Sequence, residues 1–199
     1  MDYFKLFKRP KNQPLPEYDK IALDDIPAAS ILLFYGGVAM TELVGSRLYG
    51  HPYSPPAFHA AFYCENQMFL NVGKLRVIQN LTDEFRSTRR IDVLILPGMN
   101  STQRRLGVEL AKMDASKKKP FKISDYGWKD FLRFGFPGLK PSSKQICSEN
   151  VVKLFEKVGE KVSDYAAADT APWMLFERAY SHPEQFDIKT VWIGKDFKH

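Results

Sequence analysis

Four strand-length apolar runs are crowded between Phe58 and Leu96, and an antiparallel sheet is the arrangement that accommodates them. They are Phe58 to Cys64, Met68 to Val72, Lys74 to Gln79 and Ile91 to Leu96, with a turn-forming Glu65-Asn66-Gln67 after the first and Gly73 after the second. Parallel neighbours need crossover segments of a dozen residues or more, and most of these gaps are far shorter, so βαβ units are excluded here. Ser30 to Tyr35, closed by Gly36-Gly37, adds a buried strand upstream, and Ile188 to Ile193 supplies another near the end. Between them lie helical patterns over Val38 to Leu48, Asn100 to Met113, Ser124 to just before Gly135, the stretch after Cys147, and one opening at Thr170-Ala171-Pro172. The fold class expected is α+β, an antiparallel sheet in the form of a small open barrel packed against helices.

A chain of 199 residues supports one substantial core. Residues 1–27 carry Pro10, Pro14, Pro16 and Pro27 without periodicity and read as an extended basic, proline-rich arm, in which Phe4, Leu6 and Phe7 offer packing groups; residues 28–199 read as the domain proper. No run approaches the ~18 apolar residues of a membrane span. The charged start Met1 to Pro10 lacks a signal-peptide core. A cytoplasmic setting is the default expectation, with virion association or delivery to an envelope by another route as alternatives. The net charge of +6 is concentrated between Arg104 and Lys144, where eleven Lys/Arg face four Asp/Glu. This stretch, residues 104–144, is a candidate contact for an anionic surface, with an ordinary solvated face as the alternative. It contains no nucleic-acid reading motif, so nucleic acid is not expected as a partner.

The two cysteines, Cys64 and Cys147, form no Cys-x-x-Cys pair, and the histidines have no zinc-ligand spacing, so neither a disulfide framework nor a metal or other cofactor is expected. Cys147 lies in Ile146-Cys147-Ser148-Glu149-Asn150, where an irregular basic segment gives way to an amphipathic helix with Val151, Phe155, Val158 and Val162 on one stripe. A thiol at a helix N-terminus sits at the positive end of the macrodipole, which favours the thiolate. A lone cysteine is also commonly a small buried hydrophobe. Glu149, in the first helical turn, complements the dipole and reads as structural.

A nucleophilic cysteine needs a base and a group that orients the base. Of the four histidines, His51 and His182 each precede a proline, His199 is terminal, and His59 alone opens an apolar strand. A strand histidine can equally be a core residue. Asn71 bears on this choice. A three-residue turn after the His59 strand puts Asn71 on the same face as His59, directly opposite for a turn at 64–66 and diagonal for one at 65–67; a two-residue turn puts the two on opposite faces. Asn71 could also be an ordinary polar residue of a half-exposed strand. Cys64, five residues beyond His59, points to the other face and reads as core; Trp128, Trp173 and Trp192 read as core or groove-wall aromatics.

The series Ala29-Ser30-Ile31-Leu32-Leu33-Phe34, Phe58-His59-Ala60-Ala61-Phe62-Tyr63, Ile146-Cys147-Ser148-Glu149 and Thr170-Ala171-Pro172-Trp173 resembles the circularly permuted papain-like proteins related to NlpC-type peptidases, especially the YiiX-like group. The resemblance covers about residues 28 to 190, and the Cys-Ser-Glu helix start is its most specific part. It implies Cys147 as nucleophile, His59 as base, the backbone N–H of Cys147 as oxyanion donor, and a third polar residue on the strand after the histidine, Asn71, with Glu65 in the turn as the alternative. Two departures stand out: Ala29-Ser30 replaces the Gly-Asp of that pattern, and Ala57-Phe58 replaces its Tyr-Ser.

The function expected is therefore that of a cysteine hydrolase cleaving an amide or ester bond through a covalent acyl-enzyme. The substrates implied are peptides, including peptidoglycan-type peptides, and acyl or lipid compounds. The competing expectation is a catalytically inactive structural or binding protein, a phage or envelope component, using the same fold.

Overall fold

The computed structural model describes residues 13–36, 45, 51–72, 76–116 and 146–194. The helices expected over 38–48 and from Ser124, residues 1–12 of the arm, most of the basic segment, Trp128 and His199 lie outside these or nearly so.

The strands are β1 (Gln13–Pro14), β2 (Ser30–Tyr35), β3 (Tyr53–Ser54), β4 (Ala57–Glu65), β5 (Met68–Val72), β6 (Arg76–Asn80), β7 (Arg90–Ile95) and β8 (Asp187–Ile193); the helices are α1 (Ser101–Ser116), α2 (Cys147–Lys157) and α3 (Pro172–Ser181). Six strands form one sheet in the order β6-β5-β4-β2-β7-β8, every neighbouring pair antiparallel. β1 and β3 form a separate two-residue parallel pair. The fold is thus α+β, and the six-stranded sheet is open, its outer strands β6 and β8 not meeting.

β2 reads as an unbroken apolar run because both faces of the sheet are covered. Ile31, Leu33 and Tyr35 point to the larger core, where Ala60, Phe62, Leu70 and Leu94 of neighbouring strands meet Val108 of α1, Val151 and Phe155 of α2 and Phe176 of α3. Leu32 and Phe34 point to the second core with Ala61, Tyr63, Phe69, Ile91 and Val93, closed by Ile26, Leu81 and the half-buried Phe85 and Trp192. The rings of Phe85 and Trp192 stack at 4.4 Å. Trp173 is fully buried.

The β4–β5 connection differs from expectation. Its turn is two residues, Asn66 and Gln67, both left-handed with φ of 52° and 61°, the pairing of signs that suits the right-handed twist of a tight hairpin. By itself this would turn Asn71 away from His59. The ladder, however, pairs Glu65 with Met68 and Tyr63 with Phe69, leaving Cys64 as an extra residue. That bulge restores the parity. Continuing the ladder beyond Phe62–Leu70 sets Ala61 opposite Asn71, so His59 and Asn71 are diagonal neighbours on one face.

α1 begins with a reciprocal cap: Gln103 N–H donates to Asn100 Oδ1 at 2.9 Å and Asn100 N–H to Gln103 Oε1 at 3.0 Å. α2 stops earlier than its apolar stripe suggested. Gly159, at φ 85°, turns the chain, with Glu160 N–H bonded to the Phe155 carbonyl and Gly159 N–H to that of Glu156, a Schellman ending. Val158 and Val162 are still buried, but beyond the helix.

Residues 13–27 lie against the domain: Leu15 and Ile26 are buried, and Asp19 to Ile21 bond to Thr190 on the outer edge of β8. Arg90 anchors this contact. Its guanidinium is fully buried, donating from Nε to Asp92 Oδ1 at 2.8 Å and from Nη2 to the Pro16 carbonyl at 2.7 Å. Thr190 Oγ1 donates to the same Asp92 oxygen at 2.7 Å. Removing one member of a buried pair strands the other charge. Asp92→Ala is therefore expected to lower the unfolding free energy by about 3–5 kcal/mol, read from urea denaturation, with a smaller loss in the double variant Arg90→Met/Asp92→Leu; equal losses would contradict this role.

Candidate active site

The first turn of α2 is polar and buried. Cys147 and Ser148 are fully enclosed, and Glu149 and Asn150 nearly so. Such a cluster persists only if its groups are satisfied. Ser148 Oγ donates to the Thr170 carbonyl, and Thr170 Oγ1 in turn exchanges a 2.7 Å bond with Ser163, which ties the Cys-Ser motif to the Thr-Ala-Pro motif ahead of α3. Asn150 Nδ2 donates to Asp114 Oδ2 at 2.8 Å, and the other oxygen of Asp114 accepts from Arg76 Nη1 at 2.8 Å. Ile146 has no capping side chain. Glu149 takes over part of that work, accepting weakly from Ile146 N–H at 3.4 Å and pairing with Lys153 at 2.6 Å. The position of Cys147 is thereby fixed from α1, the Thr170 loop and its own helix.

His59 pairs with Phe34 across β2–β4, their rings 5.3 Å apart. An irregularity in that ladder leaves Phe58 as the extra residue immediately before it; bulges at such positions re-aim the following side chain. Although the α2 stripe packs on the opposite face of the sheet, Cys147 at the tip of the helix lies within electrostatic and hydrogen-bonding range of the imidazole. Burial alone pushes the His59 pKa down. The sulfur, by charge and by hydrogen bonding, reverses that, with smaller contributions from the Glu84 carboxylate and the Asn71 amide, and the net direction is up. His59 Nε2 is enclosed and, among the described residues, has no partner of ordinary hydrogen-bond geometry.

Cys147, His59 and Asn71 are thus neighbours in space. Glu65 is not among them. It ends β4 six residues from His59, roughly 20 Å along a strand, and is half-exposed in a 2.9 Å ion pair with Lys112 of α1. Its carboxylate serves the hairpin end of the sheet. The other described histidines are held elsewhere: His51 Nδ1 lies 2.9 Å from Glu177 Oε1 and His182 Nδ1 3.1 Å from Glu184 Oε1. Cys64 is core, and burial pushes its thiol up to about 12. Among the described residues no group of three or more His, Cys, Asp or Glu could hold a metal ion, and no helix is long and apolar enough to cross a membrane.

Sequence reasoning missed Gln79 and Glu84. Asn71 Nδ2 donates to Gln79 Oε1 at 2.9 Å, and Gln79 Nε2 donates to Glu84 Oε1 at 2.9 Å. The signal was available in principle. β6 pairs Val77 with Asn71, so Gln79 shares the Asn71 face as a diagonal neighbour. Part of the basic segment also proves to have internal work: Arg104 donates to the carbonyls of Ala28 and Leu96 at 2.7 and 2.6 Å.

No protein-family model and no curated protein sequence matches this chain. Five chains of solved structure do. One, the metalloprotein YiiX from Escherichia coli O157:H7 (DUF1105), is similar at 17% identity over 70% of this chain and 70% of that one, with a TM-score of 0.48.

A histidine whose folded pKa is raised favours folding fully below its unfolded value of about 6.5, and the contribution is lost as pH rises through the folded value. NMR titration of His59 is expected to give a pKa above that reference, falling in Cys147→Ala because the neighbouring sulfur charge is gone. An unchanged titration in that variant would contradict the coupling.

Proposed function

We propose that this protein is a cysteine hydrolase of the permuted papain-like kind, with Cys147 as nucleophile, His59 as general base and Asn71 as the residue that orients the imidazole. The observation that carries the reading is the coupling of the His59 ring to the Cys147 sulfur. Each neighbour has a use in the chemistry. Proton transfer from thiol to imidazole leaves a thiolate and an imidazolium, and the helix N-terminus favours the negative partner. The thiolate attacks the carbonyl carbon of an amide or ester, and the carbonyl oxygen gains the negative charge. The backbone N–H of Cys147, at the first helical position, is the group assigned to that oxyanion. His59 then gives its proton to the leaving amine or alcohol, which departs from the acyl-enzyme. Water deprotonated by His59 attacks the thioester, and collapse of the adduct releases the acid and restores the thiol. The substrate class proposed is a peptide or an acyl compound, with peptidoglycan-type peptides included.

One observation favours the second reading, a non-catalytic protein on the same scaffold: Cys147 is fully enclosed as the chain stands, so a substrate carbonyl reaches the sulfur only if neighbouring chain moves aside. Alkylation kinetics separate the two. A catalytic Cys147 is expected to react with iodoacetamide at pH 6 to 7 faster than a free thiol, the reaction being abolished in Cys147→Ala and kept in Cys64→Ala. His59→Ala is expected to reduce hydrolysis of a responsive ester or peptide substrate by about 10²–10⁴. Labelling carried by Cys64, or a Cys147 rate no greater than that of a free thiol and indifferent to His59→Ala, would favour the inert scaffold.

A further inference from the structure

Behind His59 runs a chain of three side chains on three elements: Asn71 on β5, Gln79 on β6, and Glu84 in the helical turn Leu81–Arg86 that follows β6. Both links are 2.9 Å long. The second oxygen of Glu84 is held by Ser87 Oγ at 3.0 Å, so the carboxylate is fixed at both ends. The turn that carries Glu84 is itself capped, Asn80 Oδ1 accepting from Thr82 N–H at 2.9 Å.

The direction of this chain is forced from its far end. An ionised carboxylate only accepts hydrogen bonds, so Gln79 must turn its NH₂ toward Glu84. Its carbonyl oxygen then faces Asn71, which must answer with its own NH₂. The Asn71 oxygen is what remains, on the face it shares with His59. A ring N–H directed at an amide oxygen is the tautomer and the protonation state that a thiolate partner needs. Two neutral amides, each free to flip in isolation, are thus held in one sense by the carboxylate at the end of the chain.

We propose that Glu84 and Gln79 are positioning residues of the Cys147–His59 pair, locking the Asn71 amide with its oxygen toward the imidazole and so selecting the N–H orientation and favouring the imidazolium. The proposal deepens the cysteine-hydrolase reading and rests on it for its catalytic meaning, although the orientation itself does not. Among the described residues, the groups that face His59 are Cys147 from α2, Asn71 from β5, Phe34 from β2, Phe58 from its own strand and the Glu84 charge. Among the described residues Glu84 and the Cys147 sulfur are thus the charged influences, and both act in the same upward direction on the ring.

The test uses the full chain and reads His59 directly by ¹⁵N NMR titration, with the iodoacetamide rate of Cys147 as second readout. Glu84→Gln keeps the size but lets the terminal group donate, so the forced direction is lost. Gln79→Met keeps the carboxylate and breaks both links. In each variant the His59 pKa is expected to fall, the ring tautomer to become mixed, and the alkylation rate to drop on the order of tenfold, less than loss of the base itself costs. The exchange Gln79→Glu/Glu84→Gln moves the carboxylate to the middle, where it accepts from the Asn71 amide on one side and from the amide introduced at position 84 on the other. The Asn71 oxygen again faces His59, and pKa and rate are expected to recover. A merely structural pair would not respond to that exchange. His59 titrations and rates indistinguishable from the parent in both single variants, or an exchange no better than Glu84→Gln alone, would overturn the proposal. Should the single variants shift His59 while Cys147→Ala does not, the relay stands and the catalytic reading fails.

Discussion

The parity of the β4–β5 pairing is the constraint on which the site depends. Side chains alternate along a strand, so a slip of one residue moves an entire set to the opposite face. With Asn66 and Gln67 alone making the turn, Asn71 would look into the helix-covered core, where its amide would be buried among apolar side chains. One extra residue, Cys64, cancels the slip. The thiol that takes no part in the proposed chemistry therefore sits at the position whose bulge brings Asn71, and with it Gln79 and Glu84, to the side of His59.

The second requirement is a rigid helix tip. A cysteine at a helix start gains little from the macrodipole if the start frays, since the effect falls off within the first turn. Here that turn is enclosed and tied down through Ser148 to Thr170 and through Asn150 to Asp114 and Arg76. The links reach α1, β6 and the loop before α3, elements far apart in the chain. The histidine and the cysteine come from opposite faces of the sheet, so both must be held firmly for the pair to persist. Arg90 does comparable work at the other edge, where it binds the 13–27 segment to β7 and β8.

What was legible in the sequence follows the range of the interactions. Strand boundaries were readable because alternation and turn chemistry are local: Ser30–Tyr35 and Met68–Val72 stand where the residues place them. The start of α1 was readable from Asn100-Ser101, either of which suits a cap, and that of α3 from Pro172. The length of the β4–β5 turn was not, because a bulge leaves no mark in the apolar pattern. The end of α2 was misjudged because Val158 and Val162 keep the helical spacing across Gly159, whose left-handed turn ends the helix. His59 and Asn71 were singled out by type and position, but Gln79 and Glu84 require the β5–β6 register to be known. One departure from the resembled pattern gains a physical sense: Ala29, standing where that pattern has glycine, has φ of 57°, a backbone conformation that glycine adopts without strain.

The central claim is that one imidazole and one sulfur meet at the end of the sheet, and the distance between them in a crystal structure of the full chain tests it most directly. The expected result is Cys147 Sγ within hydrogen-bonding reach of the His59 ring, with the Asn71 oxygen behind the other ring nitrogen. A sulfur turned into the apolar core, with another side chain between it and the imidazole, would contradict the account.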